Sequence, residues 1–333
     1  MTAGPDADPA PVLVGVEDVG GHAALRWAAV EAERLGLPLR VLHAYSTETS
    51  YPWGYGYPLP AGVLHDVEET ARSNALSVLE DAAERVRDEF PGLPVTTTVA
   101  RTSAAASLVT ASLEGSVVVV GRRAHKHPWV AALGSVSLAV AAHAACPVVV
   151  VPESQGATPG TQPGTQPDAQ QDLPFRPQRA AGQVVVGVDD SPESLDAVGF
   201  AFAHARAHDL GVVAVHGWWV DPAVMALAEG AEWAEIGAED EVVVDAILAP
   251  WLARYPGVTV SRVVARERPS DALVEAGDGA ALLVVGSRGR GGFAGLLLGS
   301  VSRQVLQHAT CPVAVVRAGQ LAAGDDLDVS VHP

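Results

Sequence analysis

Apolar positions along the chain follow two alternating patterns. Short continuous runs recur at VLVGV (12–16), LRVL (39–42), VVVV (117–120) and VVVV (148–151). They return at VVVGV (184–188), VVAV (212–215), LLVV (282–285) and VAVV (313–316). Runs of this length, Val-rich and without polar alternation, fit parallel strands covered on both faces. The intervening stretches space their apolar residues three and four apart. They predict helices over 22–36, 62–90, 104–114 and 134–144, then over 192–210, 224–254, 269–279 and 299–309. Each half therefore reads as βαβαβαβαβ. The expected fold is α/β: two tandem, open, doubly wound parallel sheets of five strands each, with ligands taken beyond the carboxyl ends of the strands.

The two halves also repeat in sequence. VLVGVED (12–18) answers VVVGVDD (184–190), LRVLHAY (39–45) answers VVAVHGW (212–218), and SVVVVGRR (116–123) answers ALLVVGSR (281–288). LGSVSLAVAAHAACPVVVV (133–151) answers LGSVSRQVLQHATCPVAVV (298–316). The offset is 172 between Gly15 and Gly187 but 165 between Gly121 and Gly286, so the first copy carries about eight extra residues. The aromatic loop TETSYPWGYGYPLP at 47–60 is the expected place. Domain one is expected at 10–152 and domain two at 183–318. Between them, 153–182 is rich in Pro, Gly, Gln and Thr and too poor in large apolar residues to bury a core, so it reads as a flexible tether. The acidic segment 319–333 reads as a disordered tail.

Composition narrows the chemistry. The 333 residues carry a net charge of −18, which disfavours nucleic acid and anionic membrane as partners. The single lysine, Lys126, precedes His127 rather than Ser or Thr, so the chain has no Walker A loop. The stretch 131–152 is apolar, but Gly134, Ser135, His143 and Pro147 divide it into a short helix and a strand rather than a membrane span. With no basic and apolar leader at the N-terminus, the expected location is the cytoplasm. Cys146 and Cys311 each precede a proline in matching contexts. They read as buried structural thiols, with a redox role or an inter-copy disulfide as the rival readings.

The segment GSRGRGGFAGLLLGS (286–300) follows an apolar strand and runs into a helix. Glycines let backbone approach phosphate oxygens. Ser300 stands at the expected helix N-cap, where unpaired N–H groups attract anions. Arg288 and Arg290 bring local positive charge, the Ser300 and Ser302 hydroxyls are placed for phosphate or a Mg²⁺-bound water, and Asp189 ends the first strand within reach of a ribose hydroxyl or Mg²⁺. GRGGFA (289–294) also fits a loose dinucleotide fingerprint, but it follows the fourth strand of its copy and lacks the acid expected about twenty residues on. The spacing of Gly286, Gly289, Gly299 and Ser300, with VGVDDS at 186–191 and SVSRQVLQHATCPVAVV at the end, resembles the ATP-binding branch of the universal stress protein family. The resemblance covers both copies. It implies a Rossmann-like fold of the nucleotide-binding α hydrolase-like type and an ATP site, with Mg²⁺ carried by the nucleotide. That site would be built from Gly187, Asp189, Gly217, Val285, Gly286, Arg288, Gly289, Gly299, Ser300, Val301 and Ser302, with the Gly217 backbone facing adenine.

The first copy departs from this pattern. Ala124 replaces the second glycine, Glu17 stands for Asp189, Val19 for Ser191, and Arg122, Arg123, His125, Lys126 and His127 make its loop basic. The equivalent positions Gly15, Glu17, Ala44, Gly121, Arg123, Gly134, Ser135 and Val136 would form a weaker nucleotide site, a site for another anion, or none. His204 and His208 lie i,i+4 on a predicted helix, but with no third ligand near in sequence they read as a solvated face rather than a metal site. His43 and His216 read as structural; Trp218 and Trp219 fit an adenine lid or core packing equally. Three functions stand open: an ATP-holding regulatory or sensing protein with a protein partner, a slow ATPase or nucleotidyl- or phosphoryl-transfer enzyme, and a nucleotide-free interaction module. The resemblance also implies pairing of the copies through 147–151 and 312–316 as an intramolecular pseudo-dimer, with a homodimer of chains as a further level.

Overall fold

A computed structural model describes residues 9–17, 22–46, 61–122, 134–153, 180, 182–219, 230–290 and 297–320. The first copy contains β1 (Val12–Gly15), α1 (His22–Leu35), β2 (Leu39–Ala44), α2 (Ala61–Glu89), β3 (Val95–Ala100), α3 (Ala104–Ala111), β4 (Val117–Arg122), α4 (Ser135–His143) and β5 (Val148–Pro152). The second contains β6 (Val184–Gly187), α5 (Pro192–His208), β7 (Val212–Gly217), α6 (Gly230–Arg254), β8 (Val260–Ala265), α7 (Pro269–Ala276), β9 (Leu282–Gly286), α8 (Ser300–His308) and β10 (Val313–Val316). The alternation expected from the apolar runs holds throughout. Helix ends fall up to three residues short of the sequence reading, as at α3, where Ser112 already caps the last turn by donating its N–H to Leu108 O. The segments 18–21 (with Val19), 47–60, 123–133, 220–229 and 291–296 (the middle of the 286–300 loop), most of the tether and the tail after 320 lie outside the described residues.

The two five-stranded sheets are joined. The strand order is β3-β2-β1-β4-β5-β10-β9-β6-β7-β8, one ten-stranded sheet. Neighbours within each copy are parallel, whereas β5 and β10 pair antiparallel, Val313 opposite Val150 and Val315 opposite Val148. The last strands of the two copies therefore make the intramolecular pseudo-dimer. The aliphatic core on each face of the sheet crosses this junction and contains residues of both copies. The repeat offset is 173 at the ends of β2 and β7 and 165 at the starts of β3 and β8, which places the first copy's extra residues between Ala44 and Val95.

Local signals explain the second copy's helix boundaries. Ser191 caps α5, its Oγ accepting from Ser194 N, with Pro192 next and Asp209 closing the helix at φ 56°. The N-cap of α8 is Gly299, not Ser300; Ser300 is the first helical residue, so that terminus has no side-chain cap. Cys146 and Cys311 are both buried and free, and burial pushes their thiols up to about 12 and about 11. Among the described residues, no helix is long and apolar enough to cross a membrane.

Two arginines clasp the junction. Arg122, at the end of β4, donates from Nη1 to Leu306 O (2.9 Å) and Gln307 O (3.3 Å) and from Nη2 to Ala309 O (2.7 Å), at the C-terminus of α8. Arg317 reaches the other way, to Ala142 O and Ala144 O at the end of α4. Each guanidinium satisfies carbonyls that the helix leaves unpaired and sits at the negative end of its dipole. Arg122 therefore faces the other copy, so its charge is used at the junction and not in its own loop. Sheet, core and clasp predict that the copies stay together once the tether is cut. Limited proteolysis between about 155 and 180, the stretch whose composition cannot support a core, should yield two fragments that co-elute in gel filtration under native conditions. Separate elution would show that the junction does not hold.

Candidate functional site

The carboxyl ends of β6, β7 and β9 open onto a cavity of about 560 Å³, within the roughly 300–1,000 Å³ usual for small-molecule sites. It lies where the chain order of strands reverses around β6, the position expected for a ligand in a doubly wound sheet. All eleven residues expected in the second copy line it, from Gly187 and Asp189 to Val301 and Ser302. The structure adds residues the sequence did not single out, among them Val188, Ser194, Asp240, Pro269 and Leu273. Pro269 and Leu273 come from α7, and no local motif marks them as cavity residues.

Asp189 is fixed at the mouth. Its Oδ1 accepts from the N–H of Ser191 (3.0 Å) and from the Ser191 hydroxyl, and its Oδ2 accepts from Arg290 N (3.3 Å). Its own N–H donates to Ser194 Oγ (2.8 Å). The carboxylate is thus lashed to the glycine loop. A Cβ on Gly289 would lie 2.5 Å from Asp189 Oδ2, so a side chain here would displace the Asp189 carboxylate from its present position. The φ of Gly289 is not in the positive region, which removes the left-handed alternative allowed by the sequence. Gly217 is crowded in another way: a Cβ there would come 2.7 Å from Pro269 Cα and 3.3 Å from Glu267 O, so the end of β7 and the entry to α7 touch backbone to backbone.

The charges are arranged differently from the sequence expectation. Arg288 pairs with the buried Glu193 of α5 through Nε (3.0 Å) and Nη2 (2.8 Å), and Arg290 pairs with Asp190. Both guanidinium groups tie the loop to α5 and the end of β6, and their charge is already compensated. Ser302 is buried and donates its hydroxyl to Gly286 O (2.6 Å) and Ser287 O (3.2 Å), so it closes the loop rather than offering its proton to a ligand. What faces the cavity for an anion is the first turn of α8, with Ser300 exposed at its start and the turn's N–H groups without helical acceptors.

At the other end, His216 is buried; its Nδ1 makes a 2.6 Å contact with Val188 O, and its Nε2 lies 3.7 Å from Asp240 Oδ1. His43 meets Val16 O in the same way in the first copy, and each histidine lines the cavity of its own copy. The two tryptophans part company: Trp218 lines the cavity, while Trp219 is exposed under the Arg268 guanidinium.

The first copy has a cavity of about 610 Å³, lined by Gly15, Glu17, Ala44, Gly121 and Val136 among others. Gly134 and Ser135 open α4 but are not among its lining residues; Ser137 takes their place, donating to Gly121 O (3.0 Å) as Ser302 does to Gly286 O. Arg123, Ala124, His125, Lys126 and His127 lie outside the described residues.

His204 and His208 are not a solvated face. His204 is buried, His208 is largely covered, and both contact Glu31, a third residue that comes from the first copy and was invisible to a search of neighbouring sequence.

The stretch 286–290 at the end of β9, with Gly299 at the N-terminus of α8, gathers beside an acid beyond the end of β6 and edges a cleft of small-molecule size in a tandem doubly wound α/β protein. Comparison with known proteins supplies the family. The profile of the universal stress protein family matches residues 10–152 and again 181–317. A universal stress protein of Mycobacterium tuberculosis is 36% identical over 311 residues, 92% of this chain and 96% of the relative. One of Mycolicibacterium smegmatis is 37% identical over the same shares. A universal stress protein from Archaeoglobus fulgidus shares the fold at a TM-score of 0.59, with 17% identity, over 93% of this chain and 97% of that one. The chain belongs to the universal stress protein family.

Proposed function

We propose that the second copy's cavity is an adenine-nucleotide site taking ATP with Mg²⁺. On this reading the protein is a cytoplasmic regulator or sensor of the stress response that reports nucleotide occupancy to a protein partner. The observation that carries the reading is the convergence of the glycine loop, Asp189 and the α8 N-terminus on one cavity of suitable size. The residues fit the group: the close approaches at Gly286, Gly289 and Gly299 pack the loop against Glu193, Asp189 and itself at the cavity edge, the first turn of α8 offers N–H donors, and Asp189 is held by three hydrogen bonds where a ribose hydroxyl or Mg²⁺ would meet it. The base would lie at the end of β7, where His216, Gly217 and Trp218 line the cavity. Bound Mg²⁺ would offset the phosphate charge, which the paired Arg288 and Arg290 do not. Mass spectrometry of the small molecule released from purified protein tests the proposal: an adenine nucleotide supports it, and another ligand class held in this cavity would displace it.

The arrangement favours holding over turnover. Asp189 is tied by three hydrogen bonds from Ser191 and Arg290 and keeps little free acceptor capacity, and among the described residues of the cavity there is no lysine. General-base and charge-stabilising catalysis need such groups preorganised at the reacting atoms. ATP hydrolysis is therefore expected far below about one per second, the low end of ordinary enzymes. A colorimetric phosphate assay exceeding that rate, and losing it in Asp189→Asn, would move the assignment to an enzyme.

A further inference from the structure

Helices α1 and α5 occupy equivalent places in the two copies and meet where β5 joins β10. Their buried positions superpose at an offset of 173, which makes Glu31 the counterpart of His204, with His208 one turn further along α5. The counterpart of His208 in the first copy is Leu35. Exact symmetry would set like against like here; instead a carboxylate faces two imidazoles. Glu31 Oε1 is 3.1 Å from His204 Nδ1, and Glu31 Oε2 is 2.7 Å from His208 Nε2. The two rings stack at 4.1 Å, and one ligand atom from each of the three residues lies within 4.8 Å of the others.

We propose that Glu31, His204 and His208 form a binding site for a divalent transition-metal ion of the Zn²⁺ type, joining the two copies across their junction. Two imidazole nitrogens and a carboxylate oxygen are the donor set of a three-residue zinc site that leaves a fourth position for water or another ligand. An i,i+4 histidine pair places both rings on one helix face. In a tetrahedral complex with bonds of about 2.0–2.2 Å, ligand atoms stand about 3.3 Å apart. The Glu31 contacts of 3.1 Å to His204 and 2.7 Å to His208 would lengthen by about 0.2 Å and about 0.6 Å to reach that spacing. Glu31 and His204 are buried, Trp27 stacks parallel to His204 at 6.1 Å, and His208 retains 14% side-chain exposure, which gives an ion a route in. Burial alone would raise the Glu31 carboxyl, yet the neighbouring charge and hydrogen bonds of His204 and His208 hold it down at about 2. The site is separate from both nucleotide-type cavities and does not depend on their assignment.

The test uses the tag-free full chain, stripped with chelator and titrated with Zn²⁺ by calorimetry and with Co²⁺ by visible absorption. One Zn²⁺ per chain is expected, with d–d bands for Co²⁺ and quenching of Trp27 fluorescence that disappears in Trp27→Phe. His208→Ala, the variant at the most exposed ligand, should lose at least about tenfold in Zn²⁺ affinity, as should Glu31→Gln, while circular dichroism of the metal-free proteins confirms that they are folded. No Zn²⁺ bound at about 100 μM would overturn the proposal. So would binding that His208→Ala and Glu31→Gln leave unchanged, because it would then arise at other histidines.

Discussion

Gly289→Ala is expected to lower affinity for ATP-Mg²⁺ at least tenfold while leaving the fold in place. The new methyl would sit 2.5 Å from Asp189 Oδ2, well inside contact distance. Asp189 can swing away, but only by giving up hydrogen bonds from the Ser191 N–H, the Ser191 hydroxyl and the Arg290 N–H. Hydrogen bonds to a charged group are worth about 1.5–3 kcal/mol each, and each ~1.4 kcal/mol is tenfold in binding. The displaced carboxylate would also point where phosphate or ribose belongs. The cost falls on the site and not on the core, because Gly289 lies in a partly exposed loop. Calorimetric titration with ATP-Mg²⁺ beside a thermal melt separates the two effects, and undiminished affinity in a folded variant would remove Gly289 from the cradle. The parallel change Ala124→Ser in the first copy should leave binding as it is, because that position already carries a Cβ.

Arg122→Ala is the largest expected loss of stability from a single polar residue. It removes charged hydrogen bonds to three carbonyls at the end of α8 and leaves those carbonyls facing a half-buried junction. Stranding such groups costs about 2–3 kcal/mol. Because Arg122 belongs to one copy and the carbonyls to the other, the loss should appear as a lower denaturation midpoint and as easier separation of the proteolysed halves. Arg122→Lys should recover only part of it, since an ammonium does not span Leu306, Gln307 and Ala309 as a planar guanidinium does. A denaturant midpoint within error of the wild type would show that water replaces the clasp at no cost.

What could be read from the sequence was periodic or repeated. Val-rich runs such as VVVV at 117–120 mark buried parallel strands because only a strand covered on both faces is apolar at every position. Duplicated blocks gave the tandem architecture, and the glycine spacing at 286–300 picked out residues that all line one cavity. What could not be read depends on partners distant in sequence. Arg288 looked like a phosphate ligand because its partner, Glu193, lies 95 residues earlier. Arg122 looked like loop charge because its acceptors lie some 185 residues ahead. Ser302 looked like a free hydroxyl until the return of the loop brought Gly286 O within 2.6 Å. His204 and His208 looked solvated because the acid that pairs with them is 173 residues away in the other copy. In each case the helical or loop period was right, and the identity of the covering residue belonged to tertiary structure.

The asymmetry between the copies is the central claim, and calorimetric titration of ATP-Mg²⁺ into the nucleotide-free wild-type chain tests it most directly. Both cavities are of similar size, so volume alone predicts two sites. Chemistry predicts one: Asp189, Gly217 and Gly289 in the second copy are answered by Glu17, Ala44 and Ala124 in the first. The account predicts a single tight site per chain, removed by Gly289→Ala. Two sites of equal affinity, or tight binding that persists in Gly289→Ala, would contradict it.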